Sequence, residues 1–465
     1  MIQKNMHFHF VGIGGIGMSS LAAIVRQLGH RVSGCDADCS QKSIKNLISL
    51  GCTIFEGNNT QACNDSSIDT LVYSTAIQKN NPELDAARKR GIPVIHRAAL
   101  LAELTQKKTT IAIAGSHGKT TTTALVAHVL TQCNQDPTVI VGGIMHNFNS
   151  NARFGKSALL VAEADESDRS FTQLYPSIAI ITNIDLEHLD TYRDKTDLKH
   201  TFQAFLERLP RQGKAFVCID TPLTREFLEE LPPSIRQNVV TYGLSADATI
   251  RLENPVLEEQ ISSGTIVIEK IAYPITVPLA GIHNLLNATA TFAVAKELGL
   301  SLSDSNKALE TFLGVDQRFT YRGTFLGAEI FDDYGHHPTE IAHVLEVAKK
   351  RSKGRVIVVF QPHRFTRTEK LWDDFVTVFS TPTIAQLILT DIHPASETPI
   401  EGITGKQLAL AIASKRNEGT TVFTEIEPNY EPIINKLKEV LQENDLLLFL
   451  GAGKINRLAE KLCKK

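Results

Sequence analysis

The sequence predicts an α/β protein of three domains, with Rossmann-like first and last domains and a phosphate-loop α/β domain between them. Three observations carry this. At 465 residues the chain exceeds one hydrophobic core, and a prior of roughly 150 residues per domain gives three. Apolar strands alternate with amphipathic helices along its length, the rhythm of doubly wound parallel sheets. A strand–glycine turn–helix unit occurs at residues 12–17 and again at 115–121. The divisions fall at residues 1–107, 108–314 and 315–465.

Composition narrows the class. A hydrophobic content of 42% with 21% charged residues is that of a globular protein, and a net charge of −3 gives no overall attraction to nucleic acid or an anionic membrane. Seven cysteines are scattered without a C-x-x-C pair, and Cys35 and Cys39 lack a second pair to complete a metal site. Reduced thiols are expected. The opening MIQKNMHFHFVGIGG reads as a strand entering a glycine turn, not a signal peptide, and no apolar run approaches ~18 residues. The expectation is a cytoplasmic protein, monomer or homodimer, with neither nucleic-acid partner nor membrane insertion.

In the first segment a strand ending at Val11 runs into GIGGIG, residues 12–17, and then a helix. That order places Gly14, Gly15, Ile16 and Gly17 at a helix N-terminus, where backbone N–H groups favour a diphosphate. Asp36 ends the second strand, where ribose-binding acids usually sit. Ser74 and Thr75 fall near the end of the strand TLVYSTAI, on the same crevice. By itself the glycine pattern is equally that of a dinucleotide domain, a nucleotide-sugar domain or a tight turn.

The middle segment is more specific. TTIAIAGSHGKTTTTALVAHVL, residues 109–130, runs from an apolar strand through Gly115-Ser116-His117-Gly118-Lys119-Thr120-Thr121 into a helix. Ile113 stands where the common phosphate loop has its first glycine, so the loop is a shortened G-x-x-G-K-T-T. Its N–H groups cradle phosphate, Lys119 adds a point charge, and the Thr120 hydroxyl can reach Mg2+. The central domain is therefore of the P-loop ATPase type, with ATP as cofactor. Glu163 ends the strand ALLVAEAD, placed to hold magnesium, with Asp165, Glu166 and Asp168 behind it. The next strand delivers Asn183, Asp185, Glu187 and His188; His188 reads equally as a second metal ligand or a surface histidine. Asn284 and Asn287, one helical turn apart, suit a base or a phosphate, although helix capping explains them as well. A β-rich patch spans residues 239–280.

The last segment alternates again. Asp332-Asp333-Tyr334-Gly335-His336-His337-Pro338 follows a strand and precedes a helix. Arg364 and Arg367 follow the strand RVIVVFQP and suit paired hydrogen bonds to a carboxylate or phosphate. Two such strand ends in one domain favour a substrate site, with His336 part of it.

Taken in order, GSHGKTTT, EADESD, TNIDLEHLDTY, HNLLN, DDYGHHPTE and HRFTRT resemble the Mur ligases over essentially the whole chain. The resemblance implies a UDP-sugar domain, an ATPase domain and an amino-acid domain. It implies an ATP-dependent amide ligase of cell-wall precursor synthesis that joins L-alanine to the lactyl carboxylate of UDP-N-acetylmuramate through an acyl phosphate. It further implies that Lys119 holds the ATP phosphates and that Thr120, Glu163 and His188 ligate metal. Asn284 and Asn287 would contact ATP, while Arg318 and Asp333 close over it, and His336, Arg364 and Arg367 would hold the carboxylate of the amino acid. The chain departs from the family pattern at Ser116, which keeps a hydroxyl, at Gln317, which leaves Arg318 as the one arginine there, and at Lys454. The alternatives are a recycling ligase adding a whole tripeptide to the same nucleotide sugar, an NAD-dependent dehydrogenase built on residues 12–17, and a nucleotide-gated binding module.

Overall fold

A computed structural model describes residues 5–57, 65–78, 80–187, 191–395, 397–426 and 429–463. Its strands form three separate sheets. The first contains β1 (His7–Val11), β2 (Arg31–Asp36), β3 (Thr53–Glu56), β4 (Thr70–Tyr73) and β5 (Val94–His96) in the order β3-β2-β1-β4-β5, all parallel. Strand order reverses at β1, which opens a crevice beyond the carboxyl ends of β1 and β4. The expected strand TLVYSTAI stops at Tyr73; Ser74 and Thr75 leave the ladder and enter a turn closed by Ile77 N–H donating to Ser74 O at 3.0 Å.

The middle sheet holds β6 (Thr109–Ala114), β7 (Thr138–Met145), β8 (Ser150–Arg153), β9 (Leu159–Glu163), β10 (Ile178–Ile181), β11 (Lys214–Cys218), β12 (Val239–Gly243), β13 (Ile250–Leu257), β14 (Ser262–Ile268) and β15 (Ile271–Val277). Its order is β15-β14-β13-β12-β11-β10-β6-β9-β7-β8. The run from β13 to β7 is parallel, and antiparallel β14–β15 and β8 extend the two ends. β6 lies between β9 and β10, so the loops after these three strands meet above its end. Along β6 side chains alternate, with Ile111 and Ile113 in one core and Ala112 and Ala114 in the other. The second of these cores continues into the first domain through Phe8, Val25 and Leu104.

The third sheet is β16 (Thr320–Phe325), β17 (Ala328–Asp333), β18 (Val356–Phe360), β19 (Ile384–Leu389), β20 (Thr420–Phe423) and β21 (Leu446–Leu450), ordered β16-β17-β21-β18-β19-β20 with only β16 antiparallel. VIVVF in β18 and LLLFL in β21 are buried throughout because helices cover both faces. No disulfide links the described cysteines.

Candidate active site

The phosphate loop is shaped by its two glycines. Gly115 has φ +130°, and a Cβ there would stand 2.1 Å from Thr182 Oγ1; Gly118, at φ +80°, caps the helix Lys119–Gln132, and its Cβ would stand 2.9 Å from Asn287 Oδ1. The loop is strapped down from β10: Thr182 Oγ1 donates to His117 O at 2.6 Å, His117 N–H donates to Asn183 Oδ1 at 2.9 Å, and Ser116 Oγ donates to Asp185 O at 3.0 Å. Ser116 thus uses its hydroxyl structurally. Lys119 Nζ donates to the carbonyls of Gly115 and Ser116 at 2.7 and 2.9 Å, and its ion pair with Glu166 is 2.8 Å long. Burial works against the ammonium charge, but Glu166 and Asp165 raise the Lys119 pKa, so it stays charged. Glu166 occupies the position a phosphate anion would contest.

Magnesium ligands were expected at Thr120 and Glu163, with acids behind them. Thr120 Oγ1 donates to Glu163 Oε1 at 3.2 Å, and Gly142 N–H donates to Glu163 Oε2 at 2.8 Å. Burial raises the Glu163 pKa against the pull of Lys119. A hydroxyl and a carboxylate side by side, in a place where carboxylate charge is costly, fit a hard divalent cation. The other acids are committed elsewhere: Asp165 lies 2.8 Å from Arg97, Asp168 lies 3.7 Å from His96, and Glu166 is held by Lys119. Burial opposes the Asp165 charge, yet Arg97 and Lys119 hold its pKa down at about 2. His188 lies outside the described residues.

Asn284 and Asn287 do share a face. Asn287 Nδ2 lies 3.5 Å from Asn284 Oδ1, Asn284 Nδ2 donates to Ala280 O at 2.8 Å, and the Asn287 amide adjoins Gly118. Arg318 reaches in from the third domain, its guanidinium 3.5 Å from Thr120 Oγ1 and stacked 5.3 Å from the Tyr334 ring. Asp333 sits beneath it, accepting Phe319 N–H at 2.8 Å and Gly335 N–H at 2.6 Å. Burial pushes the Asp333 pKa up to about 6 while Arg318 pulls it down. Its contacts fix the turn that carries Arg318.

The third domain also closes on His117. The His117 ring lies 3.1 Å from Asp185 Oδ2 and 3.4 Å from Glu340 Oε1, and Thr339 Oγ1 donates to Asp185 Oδ2 at 3.1 Å. Glu340 takes part in the capping box of the helix Pro338–Arg351. Burial disfavours an imidazolium at His117, but Glu187, Asp185 and Glu340 outweigh it and push its pKa up to about 10.

Burial lowers the Arg367 pKa and the neighbouring Arg364 charge adds to that, against the pull of Glu187. Arg367 donates to His363 O at 3.1 Å and stands in the field of Glu187, Glu340 and Tyr334, facing the cleft. Arg364 is the N-cap at φ +70°, with its guanidinium 3.9 Å from Glu397. His336 lies near Arg367, its ring 6.0 Å from that of His363. Burial, then Arg367, lowers the His336 pKa to about 3.

In the first domain the turn after β1 packs on β2, with Gly14 N–H donating to Asp36 Oδ2 at 2.8 Å. A Cβ on Gly14 would stand 2.9 Å from that oxygen. Asp36 therefore holds the glycine turn, and its other oxygen accepts Asp38 N–H at 3.0 Å. The turn opens the helix Ile16–Gln27, and Ile77, next to Ser74 and Thr75, lies across it with Cδ1 3.0 Å from where a Gly12 Cβ would be. Ser74 is half-buried and Thr75 exposed. Arg97 was missed from sequence, although IPVIHRAALL is another strand-to-helix junction. Its guanidinium lies 3.0 Å from the position of a Gly17 Cβ and spans to Asp165, linking the first glycine turn to the acidic loop after β9.

A diphosphate turn, a phosphate loop with paired hydroxyl and carboxylate, and a third domain delivering cations to the same cleft define a class of nucleotide-dependent ligase. Family models agree in chain order: residues 7–109 match "Mur ligase family, catalytic domain", 113–295 match "Mur ligase middle domain" and 317–453 match "Mur ligase, glutamate ligase domain". The chain belongs to the Mur ligase family. It is 44% identical to the UDP-N-acetylmuramate–L-alanine ligase of Myxococcus xanthus over 98% of this chain and 94% of that one. Its fold matches the UDP-N-acetylmuramate–alanine ligase of Thermotoga maritima with a TM-score of 0.81, at 28% identity and 99% coverage of both chains. A murein peptide ligase from Psychrobacter arcticus shares the fold at a TM-score of 0.74 and 22% identity, covering 99% of this chain and 98% of that one.

Proposed function

We propose that this protein is an ATP-dependent ligase of peptidoglycan precursor synthesis that joins L-alanine to the lactyl carboxylate of UDP-N-acetylmuramate. The observation that carries the reading is the meeting of Lys119, Thr120–Glu163 and Arg318 in one cleft, within a chain that resembles alanine ligases over nearly its full length. The turn at residues 12–17 holds the UDP diphosphate, and residues 115–121 with Asn284 and Asn287 hold ATP. A lactyl oxygen attacks the γ-phosphorus and ADP leaves. The alanine nitrogen then attacks the acyl phosphate carbon, and phosphate leaves as the amide forms. The first step brings two anions together, so Lys119 and Arg318 offset their charge. Thr120 and Glu163 would hold Mg2+, which supplies further neutralisation when bound. Arg367, beside neutral His336, grips the alanine carboxylate. The divisions at residues 107/108 and 314/315 and a cytoplasmic location belong to the same proposal; among the described residues no helix is long and apolar enough to cross a membrane.

The identity of the alanine ligase relative favours alanine over a tripeptide. ADP release measured with UDP-N-acetylmuramate should require L-alanine, and the tripeptide should not replace it. Turnover with the tripeptide and none with alanine would reverse the assignment.

A further inference from the structure

A cavity of about 370 Å³ lies between the first and middle domains. Ile24, Leu28 and Leu104 line it from the first domain, and Phe154 and Leu160 from the middle one. Its ionisable lining is Lys107, Lys108 and His30, and among the described residues no carboxylate lines it. Lys107 pairs with Glu103 at 3.1 Å. Lys108 Nζ donates to Ser157 O at 2.8 Å and lies 5.9 Å from the Phe154 ring, which occupies one of its three donors. His30 packs edge-on to Phe8, and its buried Nδ1 has no hydrogen-bond partner. The size is that of a small-molecule pocket, mostly apolar with a few polar groups.

Three elements run from this cavity to the nucleotide cleft. Ile24 lies toward the far end of the helix Ile16–Gln27, which starts at the diphosphate turn. Leu104 lies toward the far end of the helix Arg97–Gln106, whose first residue holds Asp165. Leu160 is the second residue of the strand that ends in Glu163. At ~1.5 Å per helical residue and ~3.3 Å per strand residue, these paths are roughly 10 to 12 Å long.

We propose that this cavity binds a small amphipathic anion, a carboxylate on an apolar tail, and that its occupancy is coupled to the nucleotide cleft. The apolar wall takes the tail, and Lys108, Lys107 and His30 take the carboxylate. A neutral alcohol leaves the Lys108 charge without an anion, an ammonium is repelled by the two lysines, and inorganic phosphate forfeits the apolar burial. An occupant braces the first domain against the middle one, so ADP affinity changes with it.

Calorimetry on the full chain with octanoate, octanol, octylammonium and inorganic phosphate tests the site without relying on ligase activity. Octanoate should bind saturably, and each of the other probes at least ~10-fold more weakly. Lys108→Glu should weaken octanoate about 10-fold, and Leu104→Trp should abolish its binding by filling the cavity. If Leu104→Trp fails to fold, the Lys108→Glu arm decides alone. Saturating octanoate should shift ADP affinity by about fivefold or more in the wild type. Octanol binding as tightly as octanoate, or octanoate affinity unchanged by Lys108→Glu, overturns the anion site. An ADP affinity indifferent to octanoate overturns the coupling. Failed alanine ligation with these binding results intact would sink the proposed function alone.

Discussion

The proposed function assigns the carboxylate of the incoming amino acid to Arg367, which stands in the field of Glu187 and Glu340, while the Arg364 guanidinium lies 3.9 Å from Glu397. A planar guanidinium makes paired hydrogen bonds that an ammonium cannot copy. Arg367→Lys should raise the KM for alanine by ~10-fold or more and leave the KM for ATP nearly unchanged. Loss of ATP affinity with alanine affinity intact would move this residue to the phosphates. His117 supplies a pH signature. Its pKa is raised from 6.5 to about 10 in the fold, where burial opposes the charge and Glu187, Asp185 and Glu340 overcome it. The imidazolium is favoured by folding, so its contribution is fully present below pH 6.5 and is lost as pH rises toward 10. Thermal unfolding of the wild type and His117→Gln should therefore differ most near pH 6.5 and converge toward pH 10. A difference independent of pH would mean that His117 is neutral. At this scale the sequence was a partial guide. The grouping of Lys119, Thr120 and Glu163 was legible because it follows from neighbouring backbone. Arg97 and Glu340 were not, because each is given its role by a partner in another domain.

The phosphate loop depends on backbone that L side chains resist. Gly118 at φ +80° would cost about 1–2 kcal/mol with a side chain, and the added Cβ would also press on Asn287. Gly118→Ala should lower the thermal midpoint and weaken ADP binding by ~10-fold or more in calorimetry. An isotherm superimposable on the wild type would show that this turn does not set the nucleotide site. Elements buried on both faces were the easiest to read, since β18 and β21 are uninterrupted apolar runs. The end of β4 was not, because Ser74 and Thr75 continue an apolar-looking string after the ladder has stopped. Asp36 was read as a ribose ligand from its place at a strand end; the contact it makes, to Gly14 N–H, depends on the depth of the preceding turn.

Across the whole molecule, the three sheets point different strand ends at one cleft, and the third domain contacts it through Arg318, Thr339 and Glu340. Those contacts tie completion of the charge environment to the seating of that domain. Three domains were legible because strand–turn–helix units restart along the chain; their mutual seating was not, because it rests on pairs such as Arg97–Asp165 and His117–Glu340. The central claim is that ATP activates the sugar carboxylate before the amine attacks. UDP-N-acetylmuramate labelled with 18O in both lactyl carboxylate oxygens tests it most directly. Mass spectrometry should find one 18O in each phosphate released during alanine-dependent turnover and one 18O left in the amide. Unlabelled phosphate accompanying amide formation would contradict the account.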